Sequence, residues 1–247
     1  MSRNFDILLR EMPDPMRAGS VAIPNAREAE ISRSRDPIAA IDDEITKLIQ
    51  RVFLLHESKP ATTAVTFCGV NRRDGCSWVC ARASEALAEQ VSGRVCIVDA
   101  NFRSPSLHEH FRVEKGAGLA DAMKNSTPIE TFARPAWSSH LWLISAGGTD
   151  GEPNGAPNPA CLRVRISELR AEFDYVLVDA APIGSCGDAA ILGQLTDGVV
   201  LVVGCNSTRR ETARAAKDSL EAAGVPILGT VLNRRTYPIP EALYRRL

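Results

Sequence analysis

The stretch Ala64-Val65-Thr66-Phe67-Cys68-Gly69-Val70-Asn71-Arg72-Arg73-Asp74-Gly75-Cys76-Ser77 decides the fold. It opens as a β-prone apolar run, Ala64–Cys68, passes through a polar loop bounded by glycines, and meets a helical pattern that runs from Ser77 to Gln90. A strand that feeds a loop and then a helix N-terminus makes an anion site, because the first-turn N–H groups are unpaired and the positive end of the helix dipole faces the ligand. Gly69 and Gly75 permit a tight turn and close approach of a phosphate. Ser77 holds the position whose hydroxyl ligates Mg²⁺ in such loops, but the residue before it, where a lysine normally meets the β/γ oxygens, is Cys76. Gly69 also stands one residue too early for the strict spacing, which would put the first glycine at Val70. Taken alone, the loop is a weak match, and its meaning depends on the rest of the chain.

Downstream of the loop the pattern alternates regularly. Beyond Ala64–Cys68, strand patterns occupy Arg94–Val98, Leu141–Ser145, Tyr175–Val178, Val199–Val203 and Ile227–Val231. Helical patterns lie near Ser77–Gln90, Leu119–Lys124, Cys161–Phe173, Asp188–Leu195 and Thr208–Ala223. Strands that are apolar throughout and separated by helices imply a doubly wound, mostly parallel sheet covered on both faces. Thr208-x-x-Glu211 reads as a capping box opening the last helix, which stops at Gly224. Gly147–Pro159, rich in glycine and proline, reads as a loop.

Ligands of such sheets sit beyond the carboxyl ends of the strands. Two strand patterns end there in a carboxylate, Arg94–Val98 in Asp99 and Tyr175–Val178 in Asp179. One such aspartate is commonplace, since Asp caps turns everywhere. Two of them, downstream of a strand–loop–helix and in this order, fit Mg²⁺-assisted phosphoryl transfer. Asp179 then supports the metal, and Asp99 helps to hold it or orients a nucleophile.

The flanks are less regular. Residues 1–35 are polar and broken by Pro13, Pro15 and Pro24, and are expected to form a disordered arm, with residues 36–247 forming a single domain. Asp36-Pro37 looks like a helix start, and Ile41, Ile45, Leu48, Ile49, Val52 and Phe53 recur at helical spacing, so residues 36–56 read as a leading amphipathic helix. No secretory signal and no membrane span is found, and a net charge of −1 gives no field drawing the chain onto nucleic acid or an anionic membrane. Seven cysteines, an odd number without a C-x-x-C pair, point to a reducing compartment and a cytoplasmic protein.

In these residues the chain resembles a family, the bacterial tyrosine kinases of the CpsD/CapB type within the MinD/ParA-like P-loop ATPases. The resemblance covers nearly all of residues 40–247 and rests on Cys96-Ile97-Val98-Asp99-Ala100-Asn101-Phe102-Arg103-Ser104-Pro105-Ser106-Leu107-His108, similar to the family's strand followed by Asp-x-Asp-x-Arg-x-Pro-x-x-His. Gly116–Met123 is similar to its Gly-Leu-x-Asp stretch, Phe173–Pro182 to its Walker B segment, and Asp188 to an aspartate in the next helix. The resemblance implies binding of ATP and Mg²⁺ by Gly69, Gly75, Cys76, Ser77, Asp99 and Asp179, with Arg103 among the catalytic groups and Asn233 reading the adenine base. It implies tyrosine autophosphorylation between subunits of a homo-oligomer, a role in making or exporting surface polysaccharide, and a membrane-anchored co-polymerase that recruits the chain to the inner face of the membrane. The family's leading helix carries Glu-x-x-Arg-x-x-Arg at a ring interface, and Glu44, Lys47 and Arg51 approximate it.

Three departures bear on activity. Cys76 replaces the lysine, a loss of about 2–4 kcal/mol of transition-state stabilisation where catalysis is electrostatic. Asn101 replaces the motif's second aspartate and has no basic site. The C-terminal tyrosine cluster is reduced to Tyr237 and Tyr244, which are either phosphoacceptors or anchors of a terminal segment. Arg72 and Arg73, inside the loop, either reach phosphate oxygens in place of the lysine or point to solvent. The expectation is a nucleotide-responsive, weakly active or regulatory relative of the kinases. The alternatives are a MinD/ParA-like positioning ATPase and a non-enzymatic pseudokinase scaffold.

Overall fold

The computed structural model of the protein describes residues 37–54, 63–148, 158–185 and 187–235. The arm 1–35, most of the Gly147–Pro159 loop, and Tyr237 and Tyr244 lie outside the described residues.

Among the described residues seven strands form one sheet: β1 (Ala64–Gly69), β2 (Val95–Ala100), β3 (Arg134–Pro135), β4 (Leu141–Ile144), β5 (Tyr175–Ala180), β6 (Val199–Gly204) and β7 (Ile227–Asn233). Their order is β3-β4-β2-β5-β1-β6-β7, and all pairs are parallel except β3 with β4 at one edge. The long helices are α1 (Pro37–Ile49), extended by a π-helical turn at Gln50–Leu54, then α2 (Cys76–Gln90), α5 (Pro159–Glu172), α6 (Asp188–Leu195) and α7 (Arg210–Ala222). Two short helices, α3 (Leu107–His110) and α4 (Leu119–Ala122), sit in the connections after β2.

The strand pleat assigns alternate residues to opposite layers. Val65, Phe67, Val95, Ile97, Leu177, Val200 and Val202 join one core with residues of α1 and α2. Ala64, Cys68, Cys96, Val98, Val176, Val178, Val199, Leu201 and Val203 join a second core with residues of α5, α6 and α7. Both faces of the central strands are therefore buried, which is why they read as unbroken apolar runs. Burying side chains such as Phe67 and Ile97 fully contributes about 1.5–3 kcal/mol each. The leading helix packs on the first core through Ile45, Ile49, Val52 and Phe53, and Asp42 pairs with Arg82 of α2 at 2.5 Å. Arg82 also meets Glu85, which receives His110 of α3 at 3.2 Å, so a polar chain links α1, α2 and α3.

The strands run further than their apolar patterns indicate. β2 and β5 include Asp99 and Asp179, and β7 includes Asn233. The helix after the phosphate loop begins one residue earlier than predicted, at Cys76. The expected capping box at Thr208 does not form. The last helix starts at Arg210 with no side-chain cap, and Thr208 is buried against the phosphate loop instead. Gly224 ends that helix with φ 70°, as a terminal glycine should. The edge strand β3 and helix α3 are too short to leave a periodic signal.

Candidate functional site

The site assembles where β1, β2, β5, β6 and β7 end. Out of β1 the chain turns through Arg73 and Gly75, both left-handed at φ 68° and 86°. Alternation of left- and right-handed residues turns successive N–H groups toward one side. No side chain caps α2, so its first-turn N–H groups stay open for an anion. A Cβ at Gly75 would stand 2.3 Å from Asn233 Nδ2, and one at Gly69 would stand 3.0 Å from the Asn71 carbonyl. A side chain at Gly69 would crowd the Asn71 carbonyl, one at Gly75 would displace the Asn233 carboxamide, and the left-handed φ of Gly75 favours glycine there.

A buried polar knot, not signalled by any motif, holds this loop. Asp74 is 2 % exposed; its Oδ2 accepts the Asn71 N–H at 2.8 Å, and its carboxylate accepts the Thr208 hydroxyl at 3.0 and 3.2 Å. Asn71 Nδ2 donates to Thr208 Oγ1 at 3.1 Å, and Asn233 Nδ2 donates to the Asp74 carbonyl at 2.9 Å. Three strand ends therefore meet on one loop. The sequence signal for Thr208 is its capping-box spacing, which points to the wrong partner.

Asp99 and Asp179 are register partners on β2 and β5. They extend the rows of Ile97 and Leu177, so both face the α2 layer, where the loop lies. Asp99 accepts N–H groups from Asn101, Ser106 and Leu107 at 3.0–3.1 Å. Burial pushes its pKa up to about 6 against the pull of those three bonds. Asp179 is fully buried, and neither of its oxygens makes a well-formed hydrogen bond among the described residues. Burial and the neighbouring Asp99 raise it to about 7, moderated by the nearby Ser77 hydroxyl and Cys76 thiol. Cys76 is partly buried, and burial, Asp179, Cys80 and Cys68 raise its thiol well above the ordinary range. A neutral thiol therefore stands where the lysine ammonium would be, and it is a poor nucleophile.

The remaining candidates divide. Asn101 is buried with its Oδ1 making no hydrogen bond among the described residues, and His108 is buried with its Nε2 3.7 Å from Glu109 Oε1, whereas Arg72, Arg73 and Arg103 are exposed. Asn233 is at the site, but its carboxamide is engaged by the loop and by Arg234, whose N–H it accepts at 2.9 Å.

These groups suit a hard cation. Asp179 presents buried oxygens without a well-formed hydrogen bond among the described residues, beside the Ser77 hydroxyl and in register with Asp99. Mg²⁺ is typically held in this way, by one or two carboxylates together with water and substrate phosphates.

No family model matches the sequence. The chain is 29 % identical over 160 residues to tyrosine-protein kinase YwqD of Bacillus subtilis, a match covering 65 % of this chain and 67 % of that protein. It is 28 % identical over 142 residues to tyrosine-protein kinase CpsD of Streptococcus pneumoniae, covering 57 % of this chain and 63 % of CpsD. The matches thus span about two thirds of the relatives' own length. Among solved structures, the chimerical protein CapA2B2 superposes with a TM-score of 0.71 at 20 % identity, over 87 % of this chain and 93 % of that one. The kinase domain of the Escherichia coli tyrosine kinase ETK gives 0.65 at 20 %, over 88 % and 92 %. MinD from Pyrococcus horikoshii, complexed with Mg-ADP, gives 0.61 at 20 %, over 75 % and 76 %. In sequence the chain is similar to bacterial tyrosine kinases, and in fold to the kinase domain of one of them and to the ATPase MinD.

Proposed function

We propose that the chain binds ATP·Mg²⁺ at the carboxyl end of its sheet and acts as a weakly active or regulatory counterpart of the tyrosine kinases in making or exporting surface polysaccharide. The observation that carries this reading is the Asp179 carboxylate, fully buried beside the Ser77 hydroxyl and Cys76 thiol with no well-formed hydrogen bond to either oxygen among the described residues. Leaving an anion so placed is expensive in a purely structural role and is relieved by a cation.

In this reading the open N–H groups of the loop and of α2 bind phosphate oxygens, and Ser77 and Asp179 hold the metal. Asp99, braced by three backbone N–H groups, fixes the strand end next to Asp179. The metal, when bound, neutralises charge developing on the phosphate oxygens. Cys76 adds nothing to that neutralisation, and Asn101 cannot take a proton from an acceptor hydroxyl. Binding therefore survives better than turnover. Tyr237 and Tyr244 are the tyrosines nearest the C-terminus for autophosphorylation, should transfer occur. The resemblance to the CpsD/CapB-type kinases supports a membrane-anchored co-polymerase as partner, and α1, with Glu44, Lys47 and Arg51, as the contact between copies in a homo-oligomer. Among the described residues no helix is long and apolar enough to cross a membrane.

Calorimetry with ATP·Mg²⁺, run beside a phosphotransfer assay, tests the proposal. The expected result is binding with turnover at least a hundredfold below that of a kinase carrying the lysine. Absence of binding at millimolar ATP would overturn it. The likeness to MinD supports a positioning ATPase as the second reading, which DNA capture or liposome flotation would bring out.

A further inference from the structure

The missing lysine leaves open which group, if any, brings positive charge to the phosphate loop. Arg72 and Arg73 lie in the loop, but both are exposed, and no hydrogen bond or ion pair ties either side chain back to it among the described residues. Arg234, just beyond β7, is exposed as well, but it lies against the loop. A Cβ at Gly75 would lie 3.7 Å from Arg234 Nε, so the guanidinium lies close to the residue that starts α2.

Two features of this placement run against local stability. Arg234 has φ 59°, a left-handed conformation that costs a non-glycine residue about 1–2 kcal/mol. Asn233 holds it there by accepting the Arg234 N–H at 2.9 Å while donating to the Asp74 carbonyl. A cation beside a helix N-terminus is also unfavourable, since that end of the dipole is itself positive. No carboxylate offsets it among the described residues: the Asp74 carboxylate is taken up by Asn71 and Thr208, and Asp179 feels Asp99, Ser77 and Cys76 but not Arg234. A guanidinium held in a strained turn against open helix N–H groups becomes favourable when an anion lies between them.

We infer that Arg234, carried in from the end of β7, supplies the cation of the phosphate loop that Cys76 does not, so that the oligophosphate is gripped between Arg234 and the N–H groups of α2. The inference rests on the nucleotide reading for the identity of the ligand, but the anion grip stands apart from it. The site is then polarised, with Arg234 and Gly75 at an anion end and Ser77 with Asp179 at a cation end. Arg234 acts as a binding and positioning residue, and Asn233 acts by holding it.

The test is calorimetry on the full chain with three probes: ATP·Mg²⁺, inorganic triphosphate and adenosine. Arg234→Ala is expected to weaken ATP·Mg²⁺ and triphosphate about tenfold and to leave adenosine binding unchanged, with Arg234→Lys intermediate. Arg214→Ala, which removes the same charge from the exposed face of α7, is expected to change none of the three. Thermal melts identify any variant that has lost its fold, and the lysine variant then carries the comparison. Unchanged triphosphate affinity in both Arg234 variants overturns the inference. Wild-type protein that binds triphosphate through Arg234 but does not bind ATP·Mg²⁺ keeps the anion grip and overturns the nucleotide reading. Protein that binds neither overturns both.

Discussion

Asp99 and Asp179 stand side by side in register on β2 and β5, yet one carboxylate accepts three backbone N–H groups and the other accepts no well-formed hydrogen bond among the described residues. The contrast separates their roles. Asp99 is built into the connection after β2, and Asp179 has no comparable backbone tie, which suits the metal-binding role proposed for it. Asp197, at the opposite end of the sheet, shows what a structural carboxylate looks like here. Despite burial, N–H groups from Ala64 and Thr63 and the Arg170 guanidinium hold its pKa below the ordinary value.

The pair makes stability depend on pH in a definite direction. Folded pKa values of about 6 and about 7 lie above the ordinary 3.8, so the folded state binds more protons than the unfolded one in the interval between them. The contribution is fully present below pH ~4 and is lost as pH rises to about 7. Urea denaturation of the metal-free protein should show stability falling from pH 5 to pH 8. Asp179→Asn should flatten that fall by on the order of 1–3 kcal/mol and remove stabilisation by Mg²⁺. A variant with the wild-type slope would show that Asp179 does not titrate in this range.

Thr208 is the hydroxyl on which the buried Asp74 relies. Thr208→Val keeps the shape and removes the donor, leaving a buried carboxylate short of a partner at a cost of about 1–3 kcal/mol. Thr208→Ser should recover most of this. Chemical denaturation measures the loss. Nucleotide affinity should fall in parallel, because Asn71 and Asp74 shape the loop.

These residues also mark where the sequence is legible and where it is not. The alternation of strands and helices, the doubly wound class and the grouping of Gly75, Ser77, Asp99 and Asp179 are all visible in apolar runs that end in characteristic residues. Strand ends read short because Asp99, Asp179 and Asn233 are polar, although the sheet hydrogen bonds continue through them. Thr208 is misread because local spacing carries a helix-cap signal and no information about a loop more than a hundred residues earlier. Asp74 and Arg234 are marked only by lying in Gly69–Ser77 and Asn233–Arg235, stretches beyond strand ends where ligands of such sheets sit. Each acquires its role only when the ends of β1, β6 and β7 come together.

Arg73 occupies a left-handed position, φ 68°, that glycine adopts without penalty. Arg73→Gly should therefore raise stability by about 0.5–1 kcal/mol, partly offset by the greater freedom of glycine in the unfolded chain. Because no hydrogen bond or ion pair ties its side chain to the loop among the described residues, triphosphate affinity should change less than twofold. A tenfold loss of affinity would instead make Arg73 the loop's cation and displace Arg234 from that role.

Cys76→Lys asks whether the rest of the site is competent. The thiol stands near Asp179, whose buried carboxylate an ammonium would pair with and pull back toward the ordinary range. The first consequence is a flatter dependence of metal-free stability on pH, seen in the same denaturation series as Asp179→Asn. The second is tighter ATP·Mg²⁺ binding, by about tenfold, as a positive charge joins the loop's N–H groups. The third concerns turnover. If electrostatics at the loop is all that is missing, phosphotransfer or ATP hydrolysis should rise on the order of a hundredfold. A gain in binding without a gain in turnover would place the remaining defect at Asn101, whose amide cannot accept the proton that a carboxylate there could take. Cys76→Lys combined with Asn101→Asp should then restore turnover, and failure of that double variant would mean that the loop geometry itself, with Gly69 one residue early, prevents the reaction.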